Sequence, residues 1–254
     1  MKVLLILVDG MRPDALRNIP YVEQLKKQAS FTLKATTVCP SDTLPCHVSL
    51  FHSADPENHG ILTNTYTGVK TPGVGLFELL RRNGKGSAMI YSWEQLRDLA
   101  RPGSLSYSYY LNCSDHKGED YIPACTEAAY QYIAKENPDF TFLYHALPDA
   151  VGHRSGWMSE AYLDAVRLCW DNIRWLLERL PEDYTVLITA DHGGHDKTHG
   201  SDSPEDVTIP LFALGKNFVS GEELTDVTIR DIAPTIAKLL AVQAPDHWEG
   251  KSFL

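Results

Sequence analysis

Three apolar runs of strand length in this chain each stop at an acidic residue. VLLILV, residues 3 to 8, runs into Asp9-Gly10; FTFLYHALP runs into Asp149; TVLITA runs into Asp191-His192-Gly193. Runs so continuously apolar face water on neither side, which points to central strands of a sheet covered on both faces. SAMIY (87 to 91) and IPLFAL (209 to 214) have the same character. The runs alternate with helical patterns at 20 to 29, 44 to 52, 73 to 83, 120 to 136, 159 to 179 and 228 to 241. This alternation predicts an α/β fold: a doubly wound, mostly parallel sheet with helices on both faces. The carboxyl ends of parallel strands line the ligand crevice in such a sheet, so acids 140 positions apart can meet at one site.

Composition narrows the options. A length of 254 residues with 43% hydrophobic content suits one domain spanning 1–254, and no repeat or linker divides it. The least regular stretch, 93–119, reads as a small insertion or lid. With 33 acids against 23 basic residues the formal charge is -10, which disfavours a nucleic acid polymer or an anionic membrane as partner. The opening apolar run is a strand ending at an acid rather than a signal peptide, and no later run has membrane-spanning length. Five irregularly spaced cysteines fit a reduced, cytoplasmic protein better than a disulfide scaffold. A homo-oligomer is compatible with all of this. In the helix opening at Ser159, the apolar spacing makes Trp170 and Trp175 packing residues.

One acid after a strand is ordinarily a turn former or a helix cap. Three of them, two with histidines close by, are hard to explain by capping. His153 follows Asp149 by four residues, His192 follows Asp191 directly, and His195 and His199 come soon after. Carboxylates mixed with imidazoles suit Zn²⁺, with Mn²⁺ as a near competitor, and the count of ligands calls for two ions. A nucleophile candidate lies in CPSDTLPCHVSLFHS. Thr43 stands at the start of a helical pattern that tolerates Pro45 in its first turn, where a hydroxyl meets the positive helix end that favours phosphate. The competing reading of Thr43 is a simple N-cap.

Taken in order, VDGMRPD, PSDTLPCH, PENHGI, PDAVGH, ADHGG and THG resemble the alkaline phosphatase superfamily, most closely its type I phosphodiesterase/nucleotide pyrophosphatase branch. TIRDIAPTIAKLL is similar to the superfamily's closing helix, so the resemblance covers nearly the whole core. It implies an alkaline-phosphatase-like core in which Asp9, Thr43, Asp191 and His192 hold one zinc, and Asp149, His153 and His199 the other. It further implies that Thr43 is the nucleophile of two in-line displacements through a phospho-threonine, acting on a small phosphate ester or nucleotide-like substrate. Two divalent ions would outweigh the three carboxylates, so an acidic protein can bind a phosphoryl group without a basic patch.

The resemblance places His199, not His195, on the metal, which leaves His195 as a residue supporting the ligands from behind or lying on the surface. It makes His59 a turn residue, and the ordinary core or surface reading holds for His47, His52, His116, His145 and His247. One departure stands out. The branch usually carries Asn where this chain has Cys46, and a thiol is a weak donor to a phosphoryl oxygen. The backbone N–H of Leu44 is an alternative donor. Asn64 and Tyr66 are candidate substrate contacts, with turn structure as the competing reading. The sulfatase branch is disfavoured because its Cys-x-Pro-x-Arg setting is missing, and the cofactor-independent phosphoglycerate mutases and phosphopentomutases because the chain has little room for their second domain. The leading expectation is a phosphodiesterase or nucleotide pyrophosphatase. A phosphomonoesterase or phosphonate hydrolase with the same site is the alternative, followed by an inactive metal-binding regulatory protein.

Overall fold

The computed structural model describes residues 1–70, 73–112 and 120–254. In chain order its elements are β1 (Lys2–Val8), α1 (Pro20–Lys26), β2 (Ser30–Thr36), α2 (Thr43–His52), α3 (Pro56–His59), α4 (Leu76–Arg82), β3 (Ser87–Tyr91) and β4 (Tyr107–Tyr110). There follow α5 (Tyr121–Glu136), β5 (Phe140–His145), α6 (Leu147–Ser155), α7 (Glu160–Leu177), β6 (Tyr184–Thr189), α8 (Pro204–Val207), β7 (Thr208–Leu214) and α9 (Ile232–Leu239). The strands form one sheet in the order β2-β7-β6-β1-β5-β3-β4. β4, β3, β5, β1 and β6 run parallel, and β7 runs antiparallel to both of its neighbours.

β5 and β6 are buried along their whole length and β1 from Val3 onward, because helices cover both faces. Phe140, Phe142 and Tyr144 of β5 face α2 and α4: Phe142 meets Phe51 edge-on at 5.0 Å, Phe140 lies 5.6 Å from Phe77, and Tyr144 meets His47 edge-on at 5.5 Å. The next residue, His145, points the opposite way and bonds Thr126 of α5 at 3.0 Å. Ser159 caps α7 by accepting from the Tyr162 N–H. Trp170 is buried edge-on against Phe212 of β7 at 5.4 Å, and Trp175 packs edge-on against Tyr130 at 5.4 Å. Truncating Trp170 to Ala would cost about 3–5 kcal/mol.

The sequence pattern did not anticipate β2 and β4, whose character depends on a partner, nor the short helices α3, α6 and α8; α6 follows β5 almost directly and carries Asp149 and His153. β2 alternates buried and exposed residues and is a strand because it pairs with β7 at the sheet edge. Within 93–119, expected to be an insertion or lid, Glu94–Leu99 is a 3₁₀ turn and residues 107–110 form β4, paired with β3 in the main sheet. Residues 113–119 lie outside the described residues. The closing helix starts later than 228, because the Asp231 carboxylate accepts from the Thr228 N–H and hydroxyl and sets a 3₁₀ turn before α9.

Strand register decides where the acids meet. Val8 of β1 pairs with His145 of β5, and Leu7 with Thr189 of β6, so three neighbouring strands end level. Asp9, Asp149 and Asp191 all lie just beyond those ends.

Candidate metal centre and active site

Each ligand candidate is delivered by a different local device. Asp9 leaves β1 directly and is followed by Gly10, whose φ of +66° lets the chain turn; a Cβ there would stand 3.0 Å from the Asp149 backbone. The Gly10 N–H and the His192 N–H donate to Asp191 Oδ1 at 3.2 and 3.0 Å, which turns Oδ2 toward the crevice. Asp149 and His153 sit four apart on α6 and therefore on one face. His192 and His199 come from the loop after β6, their rings stacked 3.8 Å apart.

Thr43 is the first residue of α2, and Asp42 occupies the cap position before it. The N-cap reading therefore does not apply. Its hydroxyl lies 3.2 Å from His192 Nε2. The remaining approaches sort the residues into two groups. Around His192 Nε2 stand Asp9 Oδ1 at 3.3 Å and Asp191 Oδ2 at 3.5 Å. Around Asp149 Oδ1 stand His153 Nε2 at 3.4 Å and His199 Nε2 at 3.5 Å, with the two imidazole nitrogens 3.1 Å apart. The structure thus brings all seven residues into one region, with Asp149, His153 and His199 as one group and Asp9, Asp149 and His192 as another. The groups meet at Asp149, and the donor atoms of each lie within 4.8 Å of one another.

These residues fit divalent ions on three counts. Tetrahedral Zn²⁺ with bonds of about 2.0–2.2 Å sets its ligand atoms about 3.3–3.6 Å apart, close to the spacings found. His153, His192 and His199 each donate Nδ1–H to a backbone carbonyl, of Lys197 at 2.9 Å, Gly193 at 2.8 Å and Ser41 at 2.9 Å. A carbonyl only accepts, so a neutral imidazole held this way aims a bare Nε2 lone pair into the site. Asp9 Oδ1, Asp149 Oδ1 and Asp191 Oδ2 are buried without a hydrogen-bond partner, and among the described residues no lysine or arginine pairs with them.

The electrostatics agree. Burial, then the charges of Asp191 and Asp149, hold Asp9 well above the ordinary carboxylate range, and burial raises Asp191 to about 6. Burial also keeps His192 and His199 below the ordinary imidazole value, hence neutral and ready to ligate. For Asp149, burial opposes ionisation, but the adjacent His153, His192 and His199 outweigh it and the group is lowered. His153 is raised to about 8 through Asp149, so a proton and a divalent ion compete for its Nε2.

Three residues that sequence reasoning passed over complete the site. The Tyr144 phenol donates to Asp9 Oδ2, leaving only Oδ1 open. His47, expected to be an ordinary core or surface residue, is buried; it donates Nδ1–H to the Thr43 carbonyl at 2.8 Å and stands 3.4 Å from Asp191 Oδ2. Its position four residues after Thr43, one helical turn along, was the available signal. Trp157 meets His153 edge-on at 5.1 Å and His199 at 5.8 Å, and donates to the Gly10 carbonyl at 2.9 Å. A Cβ on Gly194 would fall 2.2 Å from that indole, which accounts for the second glycine of DHGGH.

The substrate-contact candidates are placed unevenly. Asn64 stands at the start of α2, its Oδ1 accepting from the Leu44 N–H at 2.9 Å; this engages the backbone donor and leaves the side-chain amide N–H groups. Cys46 is fully buried, accepts from the Thr37 hydroxyl at 3.1 Å, and has its thiol raised well above the usual value, first by burial. Tyr66 is half-buried against the core. His59 makes the expected turn before Gly60 and bonds Ser49 at 2.9 Å.

Known proteins share both the sequence pattern and the fold. A family model described as type I phosphodiesterase / nucleotide pyrophosphatase matches residues 3–206. Ectonucleotide pyrophosphatase/phosphodiesterase family member 7 of Homo sapiens is 26% identical over 218 residues, covering 76% of this chain and 47% of that protein. The 2,3-bisphosphoglycerate-independent phosphoglycerate mutase of Clostridioides difficile is 28% identical over 147 residues, covering 55% of this chain and 28% of that protein. The chain thus spans less than half the length of these curated relatives. Among solved structures, human ectonucleotide pyrophosphatase / phosphodiesterase 5 aligns over 100% of this chain and 98% of its own with a TM-score of 0.82 at 17% identity. A 2-O GAG sulfatase aligns over 99% and 73% with a TM-score of 0.77 at 13% identity. Both structural likenesses speak to the fold.

Proposed function

Because the chain belongs to the type I phosphodiesterase/nucleotide pyrophosphatase family, we propose that it is a two-metal phosphoester hydrolase, a phosphodiesterase or nucleotide pyrophosphatase acting through a phospho-threonine on Thr43. The observation that carries this reading is the cluster of three Nδ1-anchored histidines and three unpartnered carboxylate oxygens, one of whose histidines, His192, has its Nε2 3.2 Å from the Thr43 hydroxyl. Asp9, Thr43, Asp191 and His192 would hold one ion, and Asp149, His153 and His199 the other, with Zn²⁺ favoured over Mn²⁺ by the imidazoles. When bound, such ions supply Lewis-acid charge that acidifies a hydroxyl or water and neutralises phosphoryl oxygens.

The chain's own groups set the order of events. Thr43 Oγ1 attacks phosphorus while the ester oxygen leaves on the opposite side, and the threonine proton passes to solvent. Water then attacks the phospho-threonine from the side the leaving group vacated, releasing phosphate or a monoester and restoring the hydroxyl. The start of α2 supports this, because a phosphoryl group on Thr43 would sit at the positive end of the helix. With its Oδ1 held by the Leu44 N–H, Asn64 would have its amide N–H groups left to donate to a phosphoryl oxygen, and Tyr66 would offer a surface for a base or aryl group.

Cys46 favours a second reading, a phosphomonoesterase. Its thiol is engaged inside the protein, so the donor that the branch places at this position is missing. Rates on bis(4-nitrophenyl) phosphate, thymidine 5'-monophosphate 4-nitrophenyl ester and 4-nitrophenyl phosphate decide between the two. A clear preference for the last would replace the diesterase assignment with the monoesterase. The cytoplasmic placement is supported by the exposed free thiol of Cys39 and tested by cell fractionation. Among the described residues no helix is long and apolar enough to cross a membrane.

A further inference from the structure

His195 lies between two metal-ligand candidates in the chain, yet belongs to neither ligand group. Its Nδ1 donates to Asp206 Oδ1 at 2.7 Å, and Asp206 is fully buried. The other oxygen, Oδ2, accepts from the Ser201 N–H at 3.0 Å and the Ser201 hydroxyl at 2.7 Å. The same residue's backbone carbonyl accepts from the Gly193 N–H at 2.7 Å. One acid therefore ties together three points of the loop that carries His192 and His199.

The loop also has an internal fold. His195 and Thr198 exchange both backbone hydrogen bonds, at 3.0 and 2.9 Å, making a tight hairpin. Two features of that hairpin face the outer group of Asp149, His153 and His199. The Lys197 carbonyl at its tip receives His153 Nδ1–H, and the strand returning from it carries His199, whose own Nδ1–H goes to Ser41. The tip also holds the wall of the site, since the Asp196 carbonyl accepts from the Trp157 N–H at 2.7 Å.

We propose that His195, through its ion pair with Asp206, is the positioning residue of the outer metal site: it sets the hairpin that orients His153 and delivers His199. The pairing is strong enough to hold His195 above the ordinary imidazole value, chiefly through the hydrogen bond to Asp206. Against its burial, Asp206 is held below the ordinary carboxylate value by His195 and Ser201. The inner group depends on the pair less, because Asp9 leaves a strand end and Asp191 is held by Gly10 and His192 backbone N–H groups.

The inference rests on the two-metal reading, and one experiment separates the two. Stepwise Zn²⁺ affinities are measured by competition with a chromophoric chelator in the wild type, His195→Ala and Asp206→Asn, with His199→Ala and Asp191→Asn marking the outer and inner sites. The expected result is a loss of about 10–100-fold at the outer site in His195→Ala and Asp206→Asn, with the inner site within about threefold of wild type. On the His199→Ala background the further loss from His195→Ala should be smaller than in the wild type, limited to what passes through His153 and the Lys197 carbonyl. Equal weakening of both sites, or of neither, overturns the proposal; so does an additive loss on the His199→Ala background. A wild type that binds fewer than two ions overturns the two-metal reading itself, and this inference with it. Asp206→Asn preserves side-chain shape, and melting temperatures of the metal-free variants within a few degrees of wild type exclude general unfolding as the cause.

Discussion

The two halves of the proposed metal centre are built differently. Asp9, Thr43, Asp191 and His192 are at most 5% exposed, anchored to strand ends and a helix start under a covering of aromatic side chains. In the outer half, Asp149 and His153 have side chains 20% and 46% exposed and stand on α6, while His199 hangs on a loop. The contrast teaches a division of labour. A buried cluster of carboxylates is costly to fold until a cation arrives, so the inner half is where ion binding and stability are coupled. In the outer half only His153 is substantially exposed, and the His199 side chain is nearly as buried as the inner ligands, so this half is open to solvent on the His153 side.

The largest effect expected falls on the inner half. Thr43→Ala should lower hydrolysis by at least about a thousandfold while metal content stays near two ions per chain. Unaltered turnover in that variant would refute the nucleophile assignment. The comparison is sharpened by Asp191→Asn against His153→Ala. Excess Zn²⁺ should restore part of the activity of His153→Ala, whose ion is only weakened, and none of Asp191→Asn; equal recovery in both would erase the distinction between the halves.

Chelation has a smaller, global effect. An ion present at about 100 times its Kd stabilises the folded state by about 2.7 kcal/mol. For a chain of this size that corresponds to a melting temperature roughly 5–10 °C lower after metal removal. A metal-free protein that melts with the loaded one would break the proposed coupling.

The smallest effect is in pH dependence. Asp191 in the metal-free protein has its value raised to about 6, above its unfolded value of 3.8, so its ionised form destabilises the fold. Metal-free stability from this group therefore recovers as pH falls through about 6, and the melting gap to the loaded protein narrows. His52 and His59 have the opposite sign. Burial lowers both from 6.5 to about 4, so their contribution is complete above 6.5 and is lost as pH falls toward 4. Melting curves of the metal-free wild type and Asp191→Asn between pH 5 and 7.5 separate these contributions; identical profiles would count against the Asp191 assignment.

Much of the candidate site could be proposed from the sequence because its signals are local. An apolar run ending in an acid, a pair of ligands four apart, and a hydroxyl before a helical pattern are each contained in a few residues. Tyr144, His47, Trp157 and Asp206 were not legible, because each looks like a core residue or a turn until its partner is known. The same holds for β2 and β4, which become strands by pairing with β7 and β3.

The sequence by itself determined that strands would alternate with helices, that three strands would end in acids, and that Thr43 would open a helix. These follow from periodicity and turn chemistry, which act over one or two turns of chain. Only the tertiary structure decided that the three strand ends lie side by side, and which imidazole nitrogen points into the site. Register between β1, β5 and β6, and the carbonyls that fix each histidine, are contacts between residues far apart in the chain, and no local pattern encodes the identity of a distant partner.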